Sequence, residues 1–363
     1  MFSKRVLIGA IAALGAPLAG AATIDLSGAA YVTYGDANSY SLPIANQIAC
    51  GSPSSTSCQY YVSGNPPANS VTILEQTGQA NNGSQYIDNG FQPALNQLFF
   101  TTNPTNETNP TFAGDQNNTW DATLAGLNSK LDLTANDMVF FFVNNEPNSQ
   151  GALTQTLAVW ARITLTQIST GSTVGMWEMT NDTRTSAQRL IGSPTYPAPT
   201  YGGGGVVNGD VTTYTSEGNA PQITDFVRAG GQVCLNASNQ VVDCSSASAV
   251  TTINHNLGVN QVPYAVVVPE LDQAIRGISS NDWSDYVMHV DLRYGCVTPP
   301  YTITGNGGNA TCSDGTGVSQ DGNYERVFIG TRDAGLQVPE PGSLFLLSAG
   351  LLGLAASRRK TRQ

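Results

Sequence analysis

The chain has 363 residues, with 15 Lys and Arg against 26 Asp and Glu, and a formal net charge of −11. That acidity excludes a nucleic-acid binder working through a basic patch, and the apolar runs are too regular for a disordered chain. Only 11% of residues are charged and Asn, Thr, Ser and Gly abound, a composition that suits an extracellular β-protein.

Residues 1–22 have the layout of a secretory signal peptide. Lys4 and Arg5 form the charged start, residues 6–18 are apolar, and Ala19-Gly20-Ala21 offers a small-residue cleavage site with Ala22 next to it. This predicts passage through the Sec translocon. Residues 23–34 alternate loosely and predict one or two strands. Further short strands are expected at 59–62, 70–75 and 97–102, separated by Asn-, Gly-, Pro- and Ser-rich turns.

Leu124, Leu127 and Leu131 recur at helical spacing, which predicts a short helix within 120–133 with Asp121 as its N-cap. The run M-V-F-F-F-V at 138–143 is apolar on both faces and predicts a central strand. Residues 153–168 alternate with period two, Leu157, Val159, Ala161, Ile163 and Leu165 on one face and Ala158, Trp160, Arg162, Thr164 and Thr166 on the other. Residues 174–180 are expected to pair with them across a turn at 169–173. Residues 192–205, with three prolines and four consecutive glycines, read as a linker between two subdomains or, preferred here, a long loop inserted in one sandwich.

Strands are then expected at 210–215, around the Cys234/Cys244 hairpin, and at 250–254 and 264–268. Pro269 with Leu271, Ile275 and Ile278 predicts a second short helix over 269–278. Residues 286–293 place Tyr286, Met288, Val290 and Leu292 inward, with His289, Asp291 and Arg293 on a solvated face. A last strand is expected at 325–331. The pattern is mainly β: an antiparallel β-sandwich of jelly-roll type over residues 23–337, with two short helices and long loops.

The six cysteines fall into three local pairs, Cys50/Cys58, Cys234/Cys244 and Cys296/Cys312. Six cysteines in an oxidising compartment favour disulfides, though other pairings are open. The Gly51-Ser52-Pro53 turn favours the first pair, and the two strand-like runs around residues 236–239 favour the second. There is no C-x-x-C, and the two histidines, His255 and His289, are far apart, so no zinc site is expected.

Signals for chemistry are few. No H-E-x-x-H and no G-x-S-x-G is present. Residues 305–310 fit G-x-G-x-x-A, but they lie within the expected Cys296/Cys312 loop with no helix after them, and read as a turn. Asp314, Asp321 and Glu325 could offer oxygens to calcium, at a spacing that matches no EF-hand, so no cofactor is expected. Trp160 beside Arg162 could form a sugar-stacking platform. An acid pair for glycan hydrolysis carries no local signature.

The C-terminal stretch carries the sharpest motif. Pro339, Glu340 and Pro341 precede an uncharged run, 342–357, holding Leu344, Phe345, Leu346, Leu347, Leu351, Leu352 and Leu354, and then Arg358, Arg359, Lys360 and Arg362. As a helix that run spans about 24 Å, against a hydrocarbon core of about 30 Å, and snorkelling of the flanking cations closes the difference. The cations predict a cytoplasmic C-terminus. A core helix would not end in such a cluster, and an anchor that is never processed is the competing reading.

Residues 338–363 resemble the PEP-CTERM sorting signal of Gram-negative bacteria. The resemblance implies recognition of Pro339-Glu340-Pro341 by an exosortase in the inner membrane, then release toward the cell surface. The interior, W-D-A-T-L-A-G-L through V-F-F-F-V-N-N-E-P-N to L-A-V-W-A-R-I, is similar to uncharacterised proteins carrying the same tail. Without the N-terminal 22 residues and the tail from Pro339, nine cations and 25 acids remain, a net of −16. The expectation is therefore a non-catalytic surface or matrix protein, structural or adhesive, meeting exopolysaccharide or other surface proteins and no nucleic acid. A carbohydrate-binding module and a secreted glycan hydrolase are the alternatives.

Overall fold

The computed structural model describes residues 23–76, 99–101, 113–116, 119–143, 159–179, 200–203, 232–242, 244–255, 257–294, 303–304, 310–312, 317–318 and 325–333. Strands β1 (Ala30–Tyr34) and β2 (Ala37–Ser41) form a hairpin. Ser41 then caps helix α1 (Leu42–Cys50), accepting a hydrogen bond from Ile44 N at 3.3 Å. Pro43 lies in the first turn, where its missing N–H has no helical partner to lose. Gly51, at φ 71°, ends the helix in the left-handed region and turns the chain toward Cys58.

Strands β3 (Val71–Gln76), β4 (Phe99–Thr101) and β5 (Trp120–Thr123) lead into helix α2 (Leu124–Leu131). Next come β6 (Asn136–Val143), β7 (Val159–Gln167), β8 (Ser172–Met179) and β9 (Thr200–Gly203). Then follow β10 (Gln232–Leu235), β11 (Val241–Val242), β12 (Thr251–Asn254) and β13 (Tyr264–Val267). Helix α3 (Pro269–Arg276) precedes β14 (Tyr286–Tyr294). Short strands β15 (Ile303–Thr304), β16 (Ala310–Cys312) and β17 (Gly317–Val318) come before the long β18 (Glu325–Asp333).

Two antiparallel sheets dominate, and among the described residues neither closes into a barrel. One has seven strands in the order β3-β18-β6-β13-β2-β1-β9, the other five in the order β4-β5-β14-β7-β8. Two further three-stranded sheets have the orders β11-β10-β12 and β15-β16-β17. The seven-stranded sheet is apolar on both faces. Along β6, Met138, Phe140 and Phe142 enter one core, and Val139, Phe141 and Val143 enter a second. The first core also takes Trp120, Ile163, Leu165, Met288 and Val290 from the five-stranded sheet and the leucines of α2. The second is closed by Ile24, Leu26, Leu42 and Tyr60.

The hairpin turn at Asp36 ties the sheets together, since its N–H donates to Glu178 O at 3.0 Å and its carboxylate accepts from Glu178 N at 2.9 Å. Disulfides join Cys50 to Cys58 and Cys234 to Cys244, with Cα atoms 6.1 and 5.0 Å apart. Loops of this length give each bond up to about 3 kcal/mol in the chain-entropy view. Cys296 lies outside the described residues, and so do the expected 210–215 strand, residues 1–22 and the 342–357 run. Among the described residues no helix is long and apolar enough to cross a membrane.

Several expectations change. Asp121 is not a helix cap: residues 120–123 are a strand, and Thr123 caps α2 by accepting from Gly126 N at 3.0 Å. Residues 59–62 are a turn followed by irregular chain rather than a strand. Part of the expected 192–205 loop is a strand, β9, paired with β1. Helix α1 and strand β2 had no periodic signal. His289 is buried rather than solvated.

Burial on both faces obliges the charges in the seven-stranded sheet to find partners. Asp137 pairs with Arg276 of α3 and with Arg332 of β18 at 3.1 Å. Asp272, in the first turn of α3, accepts from Met138 N at 3.1 Å and faces Arg332 at 3.7 Å. Burial, reinforced by the neighbouring Asp137 charge, pushes the Asp272 carboxyl up to about 8 despite Arg332. An unfolded aspartate titrates near ~4. The folded chain therefore keeps a proton that the unfolded chain has lost. Its contribution is complete below pH ~4 and is lost as pH rises toward 8. Thermal midpoints recorded between pH 4 and 8 will fall more steeply for the native chain than for Asp272→Asn, which cannot ionise. Parallel curves would show that Asp272 does not carry the proton.

Candidate functional site

The outward face of the five-stranded sheet gathers titratable residues. Alternation sends Trp120 and Ala122, Ile163 and Leu165, and Met288, Val290 and Leu292 into the core. The residues between them must face the other way. Cross-strand register then sets His289 opposite Asp121 on one side and Thr164 on the other, and sets Arg162 between Asp291 and Glu178.

His289 and Asp121 form a buried pair, 1% and 0% exposed, with Nδ1 and Oδ1 2.6 Å apart. The other imidazole nitrogen, Nε2, lies 2.8 Å from the hydroxyl of half-buried Thr166. Asp121 also accepts from Thr119 Oγ1 at 2.7 Å and from Gln116 N at 2.6 Å. Burial pushes its carboxyl up, opposed by the bonds from His289 and Gln116, while Asp115 pushes it further up. With Asp121 filled by donors, Nδ1–H must donate to it, and Nε2 is left to accept from Thr166. The result is one line of hydrogen bonds from a half-buried hydroxyl to a buried carboxylate.

Segment 113–116 lies over this face. A Cβ on Gly114 would stand 2.9 Å from Val287 Cγ2 and 3.0 Å from Ile168 Cγ1, and Gly114 has φ +93°. Both facts require glycine there. At the far end of β7, Asp285 accepts from Ser169 Oγ at 2.6 Å, Ser169 N at 2.9 Å and Gln167 Nε2 at 2.8 Å. The Ser169 bond, with the Gln167 bond behind it, holds this carboxyl below its usual range. The β7–β8 turn is thereby fixed next to Thr166.

Arg162 gives Nε to Glu178 Oε1 at 2.9 Å and a second guanidinium nitrogen to the same oxygen. Its side chain is 14% exposed, and that of Glu178 1%. The guanidinium is thus engaged within the sheet, which weakens it as a sugar donor. Trp160 sits opposite Arg293 in the β7–β14 register. The other histidine, His255, is also buried, with Nε2 2.7 Å from Ser41 Oγ and its ring stacked on Tyr264 at 4.8 Å.

The sorting residues Pro339, Glu340 and Pro341, the apolar run and the four cations all lie outside the described residues. So do Asp314 and Asp321, while Glu325 pairs with Gln76 at the start of β18. Among the described residues no group of three His, Cys, Asp or Glu is placed to hold a metal. The Thr166–His289–Asp121 line left no mark in the sequence, since its members are separated by 123 and 168 positions. Only the period-two alternation placed Thr166 and His289 off the core face.

Removing one member of the buried pair orphans the other. Asp121→Ala will lower stability by about 3 kcal/mol, read as a denaturant midpoint shift at unchanged slope. The double change Asp121→Ala with His289→Leu will recover part of that loss. Additive losses would show that the two side chains are not coupled.

Residues 24–293 match the family described as a domain of unknown function, DUF8239. Residues 337–360 match the PEP-CTERM protein-sorting motif. No curated protein and no solved structure matches the chain. The sorting motif indicates an exosortase-targeted protein exported toward the cell surface. With most of its length covered by the first match, the chain belongs to the DUF8239 family.

Proposed function

We propose that the domain before the sorting motif is a non-catalytic structural or adhesive component of the cell surface or extracellular matrix. The observation that carries this reading is the sorting motif at residues 337–360, which gives the chain an address outside the cytoplasm. The two disulfides suit an oxidising compartment. The two large sheets, sharing one core, are read as the layers of a jelly-roll-like sandwich. Residues 1–22 direct the chain to the translocon, and the 342–357 run holds it in the inner membrane until an exosortase acts at Pro339-Glu340-Pro341. The mature domain then carries a net charge of −16, which keeps it soluble and away from anionic membrane and favours basic partners.

Intact mass of the protein from its native host, taken by cell fraction and with and without reductant, tests this. A surface form starting near Ala22, ending near Pro339 and six hydrogens lighter before reduction is expected. A full-length tail retained in the inner membrane would overturn the matrix reading. A glycan array probed with the purified protein is expected to remain blank. Binding that disappears in Trp160→Ala would replace the structural role with carbohydrate recognition.

A further inference from the structure

We infer that Thr166 is a nucleophile that accepts one acyl group. This goes beyond the structural role and does not depend on it. Three observations converge. Thr166 Oγ1 lies 2.8 Å from His289 Nε2, and His289 Nδ1 lies 2.6 Å from Asp121 Oδ1. This is the order hydroxyl, imidazole, carboxylate that activates an alcohol for acyl transfer. The Asp121 carboxylate is itself fixed by Gln116 N and Thr119 Oγ1, so the imidazole has one tautomer and one orientation. The pair is buried while Thr166 as a residue is only half-buried, so it is the least buried of the three, with its base behind it.

The backbone makes the same point. The β7–β8 register shifts between Leu165 and Thr166: Leu165 faces Gly175 and Thr166 faces Thr173. Val174 is the extra residue of this bulge and is exposed. Bulges bend a strand and interrupt its ladder, and they recur beside reactive side chains that must be aimed. Asp285 clamps the neighbouring turn and so fixes the end of β7.

The substrate class is an acyl group on an oxygen or sulfur leaving group, an ester or a thioester. Thr166 Oγ attacks the carbonyl carbon, and its proton passes to His289 Nε2. The bond from the carbonyl carbon to the leaving group breaks, and the leaving group departs with the proton from His289. The products are a Thr166 ester and a neutral imidazole. No redox partner is needed. His289 acts on the reacting proton, and Asp121 is a positioning residue.

The test uses the purified full chain with p-nitrophenyl acetate. One burst of nitrophenolate per chain is expected, with one acetyl group on the peptide containing Thr166. Thr166→Val removes burst and acetyl group together, whereas Thr166→Ser keeps both. Asp121→Asn, which supports the wrong tautomer, slows the burst by about a hundredfold or more, and thermal melting verifies that each variant folds. Acetyl groups found only on Lys130, Lys360 or the N-terminus, or a Thr166→Val burst equal to the native one, would overturn the assignment. The hydrogen-bond line would then serve only to satisfy buried groups.

Discussion

Burial of one antiparallel sheet on both faces is the constraint from which the rest of the domain follows. Antiparallel sheets commonly leave one face to water. Here β6, β13 and β18 send alternate side chains into two separate cores, where an unpartnered polar group is costly. Polar residues that do enter are tied down. Asp137 and Arg332 neutralise each other, Asp272 takes a backbone proton donor from β6, and Arg326 donates to Gly64 O at 3.1 Å. Helix α3 sits where it does because its first-turn carboxylate and last-turn guanidinium both reach the sheet.

The second sheet obeys a looser rule. One face joins the shared core and the other collects Asp121, His289, Arg162, Glu178 and Thr166. These are not a solvated stripe. The segment around Gly114 and the pairing of opposite charges withdraw most of them from water. A polar face that is buried must be internally satisfied, and this need alone accounts for the Arg162–Glu178 and His289–Asp121 pairs. The hydroxyl of half-buried Thr166, beside a bulge, completes this line at Nε2 of His289.

Much of the scaffold could be read from the sequence, and the reasons differ by element. The run at 138–143 announced a central strand because both of its faces are apolar, and it is central. Period two placed Met288, Val290 and Leu292 in the core. Cys234 and Cys244 paired as local spacing suggested. The failures have physical causes. Asp121 has the chemistry of a helix cap, but the strand pairing with β14 extends to Thr123 and moves the cap by two residues. His289 looked solvated because alternation tells which face a residue is on and not whether another segment covers that face. The site was invisible because its members meet only through register between strands distant in sequence.

The position of β18 has a consequence for the order of events in the cell. It inserts between β3 and β6, so the two halves of the large sheet cannot join until residues 325–333 are present. Only a few positions separate Asp333 from the sorting motif at 337, so the strand is made just before that signal. Until they arrive, β3 and β6 have bare edges that invite wrong pairing. Closure of the sheet and presentation of the sorting signal are therefore nearly simultaneous. The family match ends at residue 293, yet the folding unit does not. A chain cut there would lose both the strand that seals the large sheet and the sorting motif that follows it.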